Sequence, residues 1–327
     1  MRGLELQNQR TAQIAQITFD EIHRKFSLSG IRFLVLKGIV FAHEVYSHPA
    51  VRPFNDIDIL VPQRELVQAE KVLTALGYTF YSPPFHHGNK IPLGFRLRNL
   101  KGKTLPESVT RNLNETHYQF VVPPGDPRPH VELHRRLFNP CYFDQNTDFF
   151  WEHTRNVRVG HLSVEAFNPE LATLYLCIKI SLEGRIHLLS SSDLIRYIRV
   201  LGHDGEEKVY RIAEENRCLE FLGFAVKLVE KIFPGEDLTR FSAKIGHLSF
   251  QKRLVEHFWH RFVKFSLPTQ TPPGRKFIWS LDHPATHWLW LAASRGSFFQ
   301  GAIQLAKQAR NTLKIRSFIK NELRNLS

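Results

Sequence analysis

The run Asp56-Ile57-Asp58-Ile59-Leu60-Val61 constrains this chain more than any other stretch. Ile57, Ile59, Leu60 and Val61 are good strand formers. Side chains alternate across a strand, so Asp56 and Asp58 are expected on one face and Ile57 and Ile59 on the other. Such a strand buries its apolar face and displays two acids side by side. Neighbouring carboxylates repel unless a cation lies between them. A hard divalent ion with oxygen ligands, Mg²⁺ or Mn²⁺, matches that pair. A solvated strand edge is the competing reading of Asp-x-Asp taken alone.

The residues just before it suggest a phosphate site. Phe33 to Leu36 reads as a buried strand, Lys37-Gly38 breaks it, and Ile39 to Tyr46 reads as a helix. A glycine at a strand-to-helix turn lets the backbone approach a ligand closely. The unpaired N–H groups of the new helix favour an anion there. Lys37 adds a cation at the turn, and Arg52 adds another just before the acidic strand.

A later hairpin supplies a third acid. His117 to Val122 alternates as a strand, Pro123 to Pro127 reads as a turn, and His130 to His134 reads as the returning strand. Val131 and Leu133 share one face, and Glu132 and His134 the other. Glu132 is the candidate third carboxylate, with an exposed strand glutamate as the alternative. His134 would orient Glu132, touch substrate, or be structural.

Together, Leu36-Lys37-Gly38, Tyr46, Arg52, Asp56 to Val61 and the Val131-Glu132-Leu133-His134 strand resemble the uncharacterised bacterial nucleotidyltransferases of the DNA polymerase β superfamily. The readable motifs cover roughly residues 30–138. Where the wider superfamily has Gly-Gly or Gly-Ser at the turn, this chain has Lys37-Gly38. The resemblance implies an α+β fold: a polymerase β-like domain with a mixed sheet and flanking helices, followed by a C-terminal helical domain. It also implies transfer of a nucleoside monophosphate from a nucleoside triphosphate, ATP by default, to an acceptor, with release of pyrophosphate. In that reading Asp56, Asp58 and Glu132 are the catalytic carboxylates and hold two Mg²⁺ or Mn²⁺ ions, with Glu132 as general base. Lys37, Gly38, Arg52 and His134 would bind the nucleotide. The acceptor is left open: a small molecule, a peptide, a protein or an RNA. A catalytically degenerate nucleotide- or RNA-binding protein is the alternative.

Length and punctuation divide the 327 residues. An N-terminal helix is expected over 1–29, a nucleotidyltransferase domain over 30–167, and a helical domain over 168–327. Helical apolar spacing marks 63–76, 170–181, 192–201, 206–216, 219–232, 250–265 and 285–326. A hairpin is expected over 157–164. Residues 82–114 are rich in Pro, Gly, Lys and Arg with one acid, Glu107, and read as a basic insertion. The tail from Ala302 to Leu326 is also basic.

The net charge of +13 suits anionic partners such as nucleotides, nucleic acid or acidic surfaces, without choosing among them. Cys141, Cys177 and Cys218 form no Cys-x-x-Cys pair and read as reduced thiols. Met1 to Arg10 is polar, which speaks against a secretory leader, and no apolar run is long enough for a transmembrane segment. A cytoplasmic location is therefore expected. Walker, Gly-x-Gly-x-x-Gly and Gly-x-Ser-x-Gly motifs are absent, which argues against P-loop, classical dinucleotide-binding and α/β-hydrolase chemistry. The clusters His86-His87, His257 to His260 and His283 to His287 lack a carboxylate or cysteine at zinc spacing. Asp193, after Ser190-Ser191-Ser192, is expected to open a helix.

Overall fold

The computed structural model describes residues 2–81, 117–138, 147–183, 188–216, 218–234 and 238. They divide into two compact units, with the boundary between Ala166 and Phe167.

In the first unit, α1 (Arg2–Leu28) buries Phe19, Ile22 and Phe26 on one stripe. These lie at i, i+3 and i+7, the spacing of one helix face. The Phe26 ring meets the edge of Phe33 at 5.4 Å, which ties α1 to the chain entering the first strand. Then come β1 (Leu34–Val35), α2 (Lys37–Glu44), β2 (Asp56–Leu60), α3 (Leu66–Ala75) and β3 (Thr79–Phe80). After the undescribed 82–116 follow β4 (His117–Val121) and β5 (His130–His134). A short α4 (Thr147–Glu152) precedes the hairpin β6 (Thr154–Val159) and β7 (Leu162–Phe167).

The five-stranded sheet has the order β1-β2-β5-β4-β3. It is mixed: β2 and β5 run parallel, and the other neighbours run antiparallel. Its register pairs Asp58 with Glu132, and His117 with His134. One face is apolar, with Ile57, Ile59, Val131 and Leu133 fully buried. Each such side chain contributes about 1.5–3 kcal/mol. That burial fixes the register, because a one-residue slip would carry the acids into the core.

Two contacts hold the β4–β5 turn. Arg128 Nη1 donates to Leu76 O at 2.8 Å, at the end of α3, and its guanidinium also grips Asp126. Gly77, at φ 84°, ends that helix as a left-handed C-terminal stop. Tyr78 Oη donates to Pro129 O at 3.1 Å. The hairpin that carries Glu132 and His134 is thus anchored at its far end.

The second unit is helical where described: α5 (Pro169–Glu183), α6 (Leu188–Glu215) and α7 (Leu219–Ile232). α6 is broken at Gly202, at φ 61°, so the expected helices 192–201 and 206–216 are two halves of one kinked element. Ser181 Oγ donates to Phe221 O at 3.1 Å between α5 and α7. Asp193 is buried one turn inside α6, so it is not the residue that opens the helix.

The expected strand 33–36 is only the pair Leu34–Val35, and the helix after it begins two residues early, at Lys37. Cys177 and Cys218 are buried and not in a disulfide, and burial pushes the Cys177 thiol up. The readings on 82–114, 250–265, 285–326 and Cys141 lie outside the described residues. Among the described residues no helix is long and apolar enough to cross a membrane.

Candidate functional site

The polar face of β2 and β5 gathers the acids. Asp56, Asp58 and Glu132 each offer a carboxylate oxygen within 4.8 Å of the others. They differ in exposure. The Asp58 side chain is fully buried, Glu132 is 20 % exposed and Asp56 34 %. Asp58 is thus at the floor and Asp56 at the rim.

Lys37 stands among all three. Its Nζ lies 2.8 Å from Asp58 Oδ1 and 3.7 Å from both Asp56 Oδ2 and Glu132 Oε2. The next residue explains how the chain turns there. Gly38 sits at φ 35°, a left-handed value that costs a side-chain-bearing residue roughly 1–2 kcal/mol. A Cβ on Gly38 would lie 3.4 Å from Asp56 O, ordinary contact distance, so the backbone angle and not the space selects glycine. The Leu36 N–H donates to Asp58 O at 2.9 Å, which locks this turn to the acidic strand.

Arg52 is buried rather than extended into solvent. Its Nη1 donates to Gly38 O at 3.3 Å, and its guanidinium lies over the Phe41 ring at 5.6 Å. In this structure it braces the glycine turn.

His134 closes the floor of the site. Its Nε2 is 3.0 Å from Asp58 Oδ1 and 3.5 Å from Glu132 Oε2. Burial would lower its pKa, but the hydrogen bonds to Asp58 and Glu132 prevail and raise it above 6.5. For Glu132, burial would raise the pKa. The hydrogen bond from His134 and the charges of Lys37 and His117 outweigh that and hold it well below the usual carboxylate range. Glu132 is therefore ionised at neutral pH.

His117 joins the site from β4, which sequence reasoning did not foresee. Its Nε2 is 3.9 Å from Glu132 Oε1, and its ring lies 4.9 Å from that of His134. Burial and the neighbouring His134 lower its pKa below 6.5. The signal lay in the hairpin: once β4 and β5 are paired in register, His117 faces His134 on the acidic side.

Within the site, two buried polar atoms have no hydrogen-bond partner: Asp58 Oδ2 and His134 Nδ1. An unmet buried acceptor costs about 1–3 kcal/mol, more when charged. An orphaned carboxylate oxygen beside two further carboxylates matches the oxygen donors that a hard divalent cation takes.

A mixed sheet with three clustered carboxylates next to a lysine–glycine turn is the arrangement expected of a nucleotidyltransferase-type domain. Residues 1–234 match the family described as uncharacterised nucleotidyltransferase, and the chain belongs to that family. No curated protein matches the chain. Among solved structures it is similar to the antibiotic-resistance factor ANT(2'')-Ia, at 10 % identity and a TM-score of 0.40, over 63 % of this chain and 92 % of that one. It is also similar to an antigenic nucleotidyltransferase-like protein from Paracoccidioides brasiliensis, at 12 % identity and a TM-score of 0.36, over 64 % of this chain and 89 % of that one.

Proposed function

We propose that the chain moves a nucleoside monophosphate, AMP from ATP in the first instance, to an acceptor group, with release of pyrophosphate. The observation that carries this is the convergence of Asp56, Asp58 and Glu132 on one sheet face with Asp58 Oδ2 buried and unpartnered. Those three residues would hold Mg²⁺ or Mn²⁺, in one or two ions. When bound, such ions neutralise phosphate charge and activate the attacking oxygen.

The chain's own groups divide the remaining work. Glu132 is already ionised and so is ready to ligate a cation, while its lowered pKa makes it a weak base in the metal-free protein. His134 holds Asp58 and Glu132 in place through its Nε2. Lys37, now among the acids, would turn to the triphosphate when a metal takes over their neutralisation. Gly38 brings backbone close to that phosphate, and Arg52 keeps the turn in shape. Residues 168–327 form a helical domain in this reading, and the protein works in the cytoplasm.

Pyrophosphate release is the test. The full chain is incubated with each of the four nucleoside triphosphates and Mg²⁺ or Mn²⁺, beside Asp56→Ala. Metal-dependent release lost in Asp56→Ala is expected. Equal release by the variant would sink the reading. Mass spectrometry of a cell extract incubated with the chain and labelled ATP would then find the acceptor directly.

A further inference from the structure

We propose a second cation site on the same sheet, built from His117, His134 and Glu132 and selective for a borderline transition metal of the Zn²⁺ class. Its existence does not depend on nucleotidyl transfer, although Glu132 belongs to both groups.

The strand register makes the cluster. His117 on β4 pairs with His134 on β5, and Glu132 lies two residues earlier on the same face. Among the described residues, two groups of three have ligand atoms within 4.8 Å of one another, and this is the one that contains nitrogen. The Glu132 carboxylate lies between the groups. Oε2 lies 3.7 Å from Lys37 Nζ, on the side of the aspartates, while Oε1 lies 3.9 Å from His117 Nε2. Oε2 is also 3.5 Å from His134 Nε2, so the two groups share this carboxylate.

Ligand chemistry separates the two groups. The all-oxygen group, Asp56, Asp58 and Glu132, suits hard ions. Two imidazoles and a carboxylate form a set that zinc enzymes use, with a further position open. Imidazole also discriminates against Mg²⁺ and in favour of Zn²⁺. Metal–ligand bonds of about 2.0–2.2 Å put neighbouring ligands on a tetrahedral ion about 3.4 Å apart. His134 Nε2 lies 3.5 Å from Glu132 Oε2 and His117 Nε2 lies 3.9 Å from Glu132 Oε1, so each imidazole is near that spacing from one oxygen of the carboxylate.

His134 is the anchor. It is 5 % exposed, and its Nδ1 has no hydrogen-bond partner. A buried imidazole with one idle nitrogen is costly for a purely structural residue. Its other nitrogen is shared between two carboxylates, an arrangement that a cation, whether a proton or a metal, would satisfy.

The test uses Zn²⁺ alone, without nucleotide, on the full chain, in competition with a chromophoric chelator. Wild type is expected to bind one Zn²⁺ tightly. His117→Gln should weaken that binding by at least the roughly 10–100-fold that loss of an outer-sphere partner costs. Asp56→Asn should leave it within about threefold, because a partly exposed neighbouring charge is screened. The exposed His161→Gln should leave it unchanged. Co²⁺ in place of Zn²⁺ should give a tetrahedral visible spectrum that disappears in His117→Gln. Melting curves confirm folding, and His117→Asn replaces His117→Gln if the latter unfolds. Unchanged Zn²⁺ affinity in the His117 variants would overturn the proposal, as would equal loss in Asp56→Asn. Pyrophosphate release in Mg²⁺ is scored separately, so either reading can fail without the other.

Discussion

The ammonium of Lys37 stands 2.8 Å from Asp58 Oδ1 and within 3.7 Å of the other two acids of the site. One residue thus supplies internally a cation that the carboxylates would otherwise take from solvent. Sequence spacing placed Lys37 at a phosphate turn, and its position there is compatible with both tasks at different stages. A side chain with four rotatable bonds can serve the acids in the metal-free protein and a phosphate once a metal is present.

Lys37→Ala should therefore tighten divalent-metal binding in the absence of nucleotide. Removing a resident charge leaves three acids with less compensation. A gain of roughly tenfold, about 1.4 kcal/mol, is expected. That is well below the ~4 kcal/mol between unit charges 4 Å apart at an effective dielectric of about 20. Mn²⁺ titration followed by electron paramagnetic resonance reads it. Weaker Mn²⁺ binding in the variant would show that Lys37 does not compete with the metal. The metal-free variant should also melt earlier than wild type.

Asp56→Ala and Asp58→Ala should both abolish transfer but differ in stability. Asp56 is at the rim and part-exposed, so its loss relieves repulsion and should leave the melting temperature the same or slightly higher. Asp58 is fully buried and accepts from both Lys37 and His134. Its removal strands their charges, a loss of about 3–5 kcal/mol by analogy with broken buried pairs. Differential scanning calorimetry separates the two. Equal melting temperatures would mean that Asp58 is not the electrostatic keystone of the floor.

The two site histidines should titrate on opposite sides of 6.5. His134 is raised, so its contribution to stability is present below 6.5 and is lost as the pH rises through its folded pKa. His117 is lowered, so its contribution is present above 6.5 and is lost as the pH falls through its folded pKa. Histidine-selective NMR of the metal-free protein should therefore show His134 protonating first on acidification. With His117→Gln the opposing term disappears, and stability should fall more plainly as the pH rises past neutrality. Reversal of the order would contradict the hydrogen-bonding roles assigned to Asp58 and Glu132.

What could be read from sequence followed from short-range periodicity. The alternation of Asp56 to Leu60 gives the face on which the acids lie, and the same rule applied to His130 to His134 gives the face of Glu132. The helical spacing over 63–76 ends where Gly77 takes its left-handed φ of 84°. His117 escaped because its place depends on pairing between two strands joined by an eight-residue connection, a long-range relation that propensity does not contain. The partners of Lys37 escaped for another reason: a long flexible side chain is placed by the field around it, not by its own neighbours in sequence. Asp193 looked like a helix cap because Ser and Asp favour that position. α6 instead begins at Leu188, a boundary that local propensity left several residues off.

The last prediction joins nucleotide and metal. If Lys37 is held by the acids until a metal arrives, its value to a nucleotide should depend on Mg²⁺. Without Mg²⁺, Lys37→Ala should change the affinities for ATP and AMP little, and by similar factors, because in wild type the ammonium is occupied by Asp58. With Mg²⁺, the acids are neutralised by the ion, and the ammonium can reach the β and γ phosphates at the Gly38 turn. ATP has those phosphates and AMP does not. Lys37→Ala should then weaken ATP by roughly tenfold or more, in line with a charge-assisted contact of about 1.5–3 kcal/mol, and leave AMP nearly unaffected. Calorimetry with both nucleotides, with and without Mg²⁺, provides the four affinities for each protein. Equal losses for ATP and AMP in Mg²⁺ would show that Lys37 never leaves the carboxylates, and its role would then be confined to holding the site together.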